Sequence, residues 1–275
     1  MLNKDTTLCI SLAGRPSNIG TRFHNYLYEE LGLNFVYKAF TTGDIEAAIG
    51  GVRALGIRGC SVSMPFKEAV IPLVDELTGS AEAIESVNTI VNAAGRLTAY
   101  NTDYEAVTAL IGRHALDPAA PVLVRGSGGM AKAVVASFRN AGFGDVTVLA
   151  RNATAGQALA GKYGYRWVQA DPPPADAIIV NVTPLGMNGA DADALAFSQA
   201  QIEAARAVFD VVAFPAETPL ILAARAAGKP VITGAEVIAL QAARQFELYT
   251  GASITADQVA RASAFSRESP GSSSP

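Results

Sequence analysis

Two short segments in the first half of the chain carry side chains that could move a proton. Residues 61–67 end in Lys67, and residues 101–103 end in Asp103. Further on, residues 126–131 read Gly-Ser-Gly-Gly-Met-Ala, a glycine-rich loop of the kind that binds a dinucleotide. A lysine and a carboxylate can hold and transfer a proton while a bound dinucleotide carries a hydride. The combination is typical of oxidoreductase chemistry.

The glycine-rich loop predicts a dinucleotide site. Small residues permit a tight turn, a close approach of the backbone to a pyrophosphate and close packing of the next helix. The loop lies between a predicted strand at residues 122–125 and a predicted helix at residues 130–141. The N-terminus of such a helix presents unpaired N–H groups to phosphate oxygens. We therefore assign cofactor binding to Gly126, Ser127, Gly128, Gly129 and Met130.

The end of the next predicted strand indicates which dinucleotide is bound. An NAD site usually has Asp or Glu there, about 20 residues after the glycines, to hold the ribose 2′-hydroxyl. Residues 150–154 read Ala-Arg-Asn-Ala-Thr and contain no carboxylate. Because Arg151 can pair with a 2′-phosphate, the sequence favours NADP over NAD. The alternative is that Arg151 is a solvated charge at a strand end.

Short apolar runs alternate with helical patterns along most of the chain, which predicts an α/β fold. The first part is predicted to be a small α/β domain, with strands at residues 8–13, 34–39, 59–64, 89–92 and 97–100. The last two of these are expected to form a hairpin around Gly95. The second part is predicted to be a Rossmann-type domain with a doubly wound parallel sheet, its strands at residues 122–125, 146–150, 177–182, 208–212 and 231–233.

The predicted domain boundaries follow from this alternation. Residues 1–104 would form a substrate-binding catalytic domain, completed by C-terminal helices within residues 236–265. Residues 105–235 would form the NADP-binding domain. Residues 266–275, rich in Ser, Pro and Gly, are predicted to be a flexible tail.

Composition narrows the function classes. Half of the 275 residues are hydrophobic and 17% are charged, so a buried core is expected. The formal charge of −4 offers no basic surface for nucleic acid, and no apolar run approaches the roughly 20 residues that cross a bilayer. Cys9 and Cys60 are predicted to be buried thiols rather than a disulfide, and they form no metal cluster with the two histidines. We expect a cytoplasmic protein, monomer or homodimer, that binds a small molecule and no metal.

Several motifs together resemble the shikimate dehydrogenase family. That family shares the pattern S/N-V-T-x-P-F-K, then A-V-N-T, then N-T-D. This chain reads Ser-Val-Ser-Met-Pro-Phe-Lys at 61–67, Ser-Val-Asn-Thr at 86–89 and Asn-Thr-Asp at 101–103. The resemblance continues with Asn-Val-Thr-Pro-Leu-Gly-Met at 181–187 and ends with Gln-Ala-Ala-Arg-Gln-Phe-Glu at 241–247. Because it covers nearly the whole chain in order, the chain is identified as a member of this family.

The resemblance implies a substrate domain and an NADP domain that flank a cleft. The reaction would interconvert shikimate, or a related hydroxylated cyclic carboxylate, and its 3-dehydro ketone. Lys67 would relay the proton of the reacting hydroxyl, and Asp103 would hold both in position.

Further contacts are implied by the same match. Substrate contacts are implied for Ser63, Asn88 and Gln241, and cofactor contacts for Asn181, Thr183, Met187 and Gly234. For Thr183, a buried threonine that caps a turn is the alternative.

The segment that would hold the substrate carboxylate departs from the family. Members typically have S-x-S-P-x-x-H-N there, and alignment on the His-Asn pair at 24–25 puts Asn18, Gly20 and Thr21 in place of both serines and the proline. Asn18, Thr21 or the nearby Ser17 could still donate hydrogen bonds, and Arg22 adds a nearby positive charge. Asn18 and Thr21 are assigned to the substrate; the loss of one good hydrogen bond to a carboxylate costs about 1.5–3 kcal/mol. Tyr104 and Glu105 also replace the glycine that often follows N-T-D.

These departures resemble the divergent shikimate-dehydrogenase-like branch, with retained chemistry, an altered pocket and weak activity on shikimate itself. Two alternatives stay open. One is a quinate dehydrogenase that uses NAD, and the other is a non-catalytic NADP-binding regulatory protein.

Overall fold

A computed structural model describes residues 2–267 of the chain. The described chain divides into two compact units. One unit contains the residues up to Thr102 together with those from Ala239 onward, and the other is Asp103–Ile238. The predicted tail at 266–275 lies outside the described residues, except for Ser266 and Arg267, which end the last helix.

The first unit is built on a mixed six-stranded sheet. Its strands are β1 (Thr7–Leu12), β2 (Phe35–Phe40), β3 (Gly59–Val62), β4 (Glu76–Leu77), β5 (Thr89–Ala93) and β6 (Arg96–Tyr100). They lie in the order β2-β1-β3-β5-β6-β4, with β1 parallel to both β2 and β3. Strands β5 and β6 pair antiparallel around Gly95, which confirms the predicted hairpin.

Residues 2–267 contain ten α-helices. They are α1 (Asn18–Glu30), α2 (Ile45–Ala54), α3 (Gly79–Glu82), α4 (Thr102–Arg113), α5 (Gly129–Asn140), α6 (Ala153–Tyr163), α7 (Gln199–Ala204), α8 (Pro219–Ala226), α9 (Gly234–Thr250) and α10 (Ala256–Arg267). A short 3₁₀ helix, Ile71–Leu73, precedes β4. Within residues 2–267, none of the helices combines the length and apolar character needed to cross a bilayer.

Both faces of the first sheet are covered. One face packs against apolar side chains of α2, including Ile49 and Val52. The other packs against α1, α9 and α10, where Leu27 and Phe246 are fully buried. Cys60 belongs to the first cluster and Cys9 to the second, so the two thiols lie on opposite faces of the sheet. Both thiols are free and buried, which confirms the prediction and excludes the disulfide.

The second unit is built on a six-stranded parallel sheet. Its strands are β7 (Val122–Arg125), β8 (Val146–Leu149), β9 (Arg166–Val168), β10 (Ile178–Asn181), β11 (Ala207–Asp210) and β12 (Val231–Thr233). They lie in the order β12-β11-β10-β7-β8-β9, and every pair is parallel. This is the doubly wound order, in which the chain starts at the centre and winds outward in both directions. The predicted fold class is confirmed.

Candidate active site

The glycine-rich loop lies where the winding of the second sheet reverses. Strand β7 is flanked by β8 on one side and by β10 on the other, and ligands of such sheets bind at the carboxyl ends of these central strands. Gly126 follows β7 with φ +126°, and a Cβ at this position would lie 2.7 Å from Cγ2 of Val182. Only glycine fits both the conformation and the space, so the predicted tight turn is present.

The loop leads directly into the N-terminus of α5. Gly128 is the N-cap residue, and no side chain within residues 2–267 caps this end of the helix. The first N–H groups of α5 are therefore available to an anion such as a pyrophosphate. Gly128 and Gly129 are exposed, while Ser127 and Met130 are half-buried beside them. This cradle of small residues fits a dinucleotide.

Arg151 follows the second strand of the parallel sheet, β8, the place where dinucleotide sites usually read the ribose 2′ position. It is exposed in the turn between β8 and α6. Its neighbour Asn152 caps α6 by accepting a hydrogen bond from the Ala155 N–H at 3.0 Å, and Gln169 donates to the Arg151 carbonyl at 3.2 Å. The backbone is thus fixed on both sides, while the guanidinium faces solution.

Asn181 and Thr183 form a hydrogen-bonded turn at the end of β10. The Thr183 hydroxyl donates to Oδ1 of Asn181 at 2.6 Å and accepts from the Leu185 N–H at 3.3 Å. Asn181 is fully buried and donates through Nδ2 to the Leu185 carbonyl and to Asp210. The structure therefore shows the turn-capping role that was the alternative for Thr183, and Asn181 positions that turn. Cofactor contacts of these two residues stay a prediction.

Asp210 organises this edge of the sheet, and the sequence did not single it out as a site residue. It lies at the end of β11 with no exposed surface. It accepts hydrogen bonds from Asn181 Nδ2 at 3.0 Å, from the Val212 N–H at 3.0 Å and from the Thr218 hydroxyl at 2.6 Å. Burial raises its pKa to about 6, and the donated hydrogen bonds act against that rise. Its partners come from three separate segments, and the spacing of residues in the sequence does not reveal such a network.

Met187 and Gly234 complete the predicted cofactor set. Met187 follows the turn held by Thr183 and keeps 45% of its surface exposed. Gly234 begins α9 directly after β12, and a Cβ there would lie 2.4 Å from the carbonyl oxygens of Val211 and Val212. Glycine is thus required at 234 by a close approach of two backbone segments. The structure gives this packing reason independently of any cofactor.

In the first unit, the segments that carry Lys67 and Asn88 are hydrogen-bonded neighbours. Strand β3 ends in a turn in which the Phe66 N–H donates to the Ser63 carbonyl at 2.9 Å. The Lys67 carbonyl accepts from the Val87 N–H at 2.9 Å, and the Asn88 carbonyl accepts from the N–H of residue 62 at 2.8 Å. Lys67 is half-buried and Ser63 is exposed. Both follow the carboxyl end of β3.

Asn88 is at the centre of a buried polar network. Its Oδ1 accepts from the Thr89 hydroxyl at 2.8 Å and from Thr102, through the N–H at 2.8 Å and the hydroxyl at 3.2 Å. The Thr102 hydroxyl also lies 3.4 Å from Oε1 of Gln241. The oxygen of Asn88 is therefore committed to the protein, and its amide NH₂ is the group with which it would bind a ligand.

Gln245 belongs to the same network and was not among the predicted residues. It is 2% exposed, and its Nε2 donates to the Thr89 hydroxyl at 2.8 Å. The same nitrogen lies 3.3 Å from the Asn88 carbonyl and from the Ser61 hydroxyl. Gln245 thus joins α9 to β3 and β5 beneath Asn88. Asp103, one residue beyond Thr102, lies in the first turn of α4 and is part of the second unit.

Comparison with known proteins decides the family. Residues 18–90 match the family described as the shikimate dehydrogenase substrate binding domain. A shikimate dehydrogenase-like protein of Haemophilus influenzae is 59% identical over 97% of this chain and 99% of its own. The chain belongs to the shikimate dehydrogenase family. The predicted family, its divergent branch and the oxidoreductase class are confirmed.

Solved structures agree with this assignment. A structure of a shikimate 5-dehydrogenase-like protein has a TM-score of 0.95 at 59% identity and covers 98% of this chain and 100% of that chain. The shikimate 5-dehydrogenase of Thermus thermophilus, solved in complex with NADP(H) and shikimate, has a TM-score of 0.84 at 29% identity, covering 94% and 99%.

The segment in which this chain departs from the family's carboxylate-binding pattern lies at the start of α1. Asn18 is exposed as the first residue of this helix. The Thr21 hydroxyl is buried and has no hydrogen-bond partner among residues 2–267, and its contact with a substrate stays a prediction. Arg22 was expected to add a positive charge near the substrate carboxylate. Its guanidinium instead donates to the Phe265 carbonyl at 2.8 and 3.0 Å and lies 4.2 Å from the centroid of the Phe265 ring. Of the residues expected to hold the carboxylate, Ser17 and Asn18 are exposed.

His24, which anchors this alignment, is a packing residue. It is fully buried and stacks on Tyr37 with ring centroids 4.5 Å apart. Burial lowers its pKa to about 3, so the ring is neutral at physiological pH. Within the described part of the chain, no group of three or more His, Cys, Asp or Glu side chains could hold a metal ion.

Proposed function

We propose that the protein is an NADP-dependent dehydrogenase of shikimate or a related hydroxylated cyclic carboxylate, which it interconverts with the 3-dehydro ketone. The observation that carries the proposal is the pairing of the Lys67 and Asn88 segments in the first unit. This chain retains both residues, and Asp103 as well, in a family of oxidoreductases. A protein that only sensed NADP would not need a lysine held beside a network that presents an amide donor.

The residues would divide the work by their chemistry. When bound, the nicotinamide supplies the hydride acceptor. Lys67 would take the proton of the reacting hydroxyl and Asp103 would orient the lysine and that hydroxyl. The Asn88 NH₂ would donate to a second hydroxyl of the ring, because its oxygen is held by Thr89 and Thr102. Ser63 and Gln241 are the further substrate contacts that we propose.

The altered start of α1 supports weak activity on shikimate itself. A carboxylate there would lose the two serine hydroxyls that the family normally provides and keep Asn18 and Thr21 as donors. The natural substrate is then a ring acid that places at the start of α1 a carboxylate, or another polar group, that needs fewer hydrogen-bond donors. The cytoplasmic location and the monomeric or homodimeric state remain predictions from the sequence.

The proposal is tested by following NADP reduction with a panel of shikimate, quinate and related hydroxylated ring acids. Turnover is expected with at least one acid, and with shikimate at a high Michaelis constant. Tight NADP binding without turnover of any ring acid would instead favour the non-catalytic alternative.

The cofactor preference has its own test. Replacement of Arg151 by Ala should raise the KM for NADP about 10- to 100-fold, the range for a lost charge-assisted hydrogen bond, and leave the KM for NAD within about twofold. The matched control is Arg166→Ala, which removes an exposed arginine of β9 that pairs with Asp145; it should change neither constant. A wild-type protein that turns over quinate with NAD better than any acid with NADP would support the quinate alternative.

A further inference from the structure

The residue after Asp103 ties the start of α4 to α5. Tyr104 is 9% exposed, and its hydroxyl is hydrogen-bonded to Nδ2 of Asn140, the last residue of α5. Its carbonyl accepts from the Ser137 hydroxyl at 3.2 Å. The Ser137 oxygen in turn accepts from the Thr108 hydroxyl at 3.1 Å. Side chains of the second half of α5 thus hold the first two turns of α4.

The other end of α5 is the end that the glycine-rich loop leads into. Ser137 and Asn140 lie on the same helix as Gly129, its first residue, and a helix of 12 residues is a rigid rod about 18 Å long. Seven residues of α5 are buried, which fixes it on the sheet. A group bound at the N-terminus of α5 therefore shares one rigid element with the anchors of Tyr104.

Tyr104 is also where the chain departs from its family, in which a glycine often follows N-T-D. A glycine has no side chain to reach Asn140. The tyrosine hydroxyl therefore adds a contact that this position does not otherwise provide, and it lies directly beside Asp103 in sequence.

We propose that Tyr104 is a positioning residue that fixes Asp103 to the dinucleotide-binding helix, so that NADP binding at the start of α5 orders the first turn of α4. The inference rests on the proposed function in one respect, the catalytic role of Asp103. It concerns this chain in particular, because the contact depends on the tyrosine at position 104.

The first test is kinetic. Tyr104→Phe removes only the hydroxyl and should lower kcat about 3- to 10-fold, the range of one hydrogen bond, with the KM for NADP within about twofold. Asn140→Ala should do the same, and the double variant should be no slower than either single one, because both remove the same bond. Tyr165→Phe is the matched control: it removes a hydroxyl that donates to the Phe143 carbonyl at 2.7 Å in the same unit, and kcat should stay within about twofold.

The second test needs no turnover. Amide hydrogen exchange of residues 103–113 is measured by mass spectrometry with and without NADP. NADP should slow exchange several-fold in the wild type and in Tyr165→Phe, and it should have little effect in Tyr104→Phe.

The outcomes separate the two proposals. Exchange that responds to NADP only when Tyr104 is intact, in a protein that turns over no ring acid, would support the coupling and contradict the proposed function. Normal kcat and a normal exchange response in Tyr104→Phe would overturn the coupling while the proposed function stands. Exchange in the wild type that NADP leaves unchanged would also overturn it.

Discussion

The two units build their parts of the candidate site from different materials. In the first unit, side chains make the site: Asn88 accepts three hydrogen bonds, and Gln245 donates beneath it. In the second unit, the backbone makes the site, because Gly126 and Gly234 leave the space that a side chain would fill. These are the side-chain-built half and the backbone-built half of the candidate site. Single substitutions can change which ligand a site made of side chains binds. A site made of backbone tolerates few substitutions. The chain accordingly departs from its family at Asn18 and Gly20 in the first unit, while its glycine loop keeps the common pattern.

Gly234→Ala is expected to have the largest effect, because it tests whether the backbone-built half tolerates a methyl group. The new Cβ would lie 2.4 Å from two carbonyl oxygens, so the backbone must move. We expect a loss of about 3 kcal/mol or more in the free energy of unfolding, measured by urea denaturation.

The control for this variant is Gly161→Ala, an exposed glycine within α6 whose Cβ would meet nothing within 4 Å. It should be neutral or stabilise by up to about 1 kcal/mol. Equal stability of the Gly234 variant and wild type would contradict the requirement for close backbone contact.

Asp210 extends the comparison, because its buried carboxylate joins three segments of the second unit. Its folded-state pKa of about 6 lies above the ordinary 3.8, so the folded state binds the proton more tightly. The stability that this provides is complete below about pH 4 and is lost as the pH rises through 6. Relative to Asp210→Asn, the wild type should lose up to about 3 kcal/mol between pH 4 and 7, as measured by urea denaturation at each pH. Parallel pH profiles for the two proteins would contradict this assignment.

Gln245→Met tests the side-chain-built half and should have a smaller effect. The variant keeps the size of the side chain but leaves the Thr89 hydroxyl without its donor at 2.8 Å. We expect a loss of about 2 kcal/mol in unfolding free energy and a higher KM for the ring acid, since Asn88 is held less firmly. Gln199→Met, at an exposed position of α7, should change stability by less than about 0.5 kcal/mol. A Gln245 variant as stable as that control would show that the network is dispensable.

The sequence predicted the backbone-built half better than the other, for a physical reason. The requirements of a glycine loop are local, since the turn, the helix start and the strand before it lie within about twenty residues. The apolar runs likewise predicted ten of the twelve strands; β4 has only two residues, and β9 begins with the exposed Arg166.

The side-chain network could not be predicted in the same way. Gln245 and Thr89 are 156 residues apart in the chain, and no spacing rule joins them. Arg22 shows the opposite case. Its charge suited a carboxylate site, but the fold directs the guanidinium to the Phe265 carbonyl of α10, whereas a substrate contact of Thr21 stays a prediction.

The central claim is that Lys67 performs chemistry and does not merely shape the fold. It is tested most directly by measuring turnover and NADPH binding together in Lys67→Ala, with the ring acid that the wild type uses best. We predict a fall in kcat of at least about 100-fold, the usual contribution of a general base, with a dissociation constant for NADPH within about twofold. Turnover equal to that of the wild type, with NADPH still bound, would contradict the account.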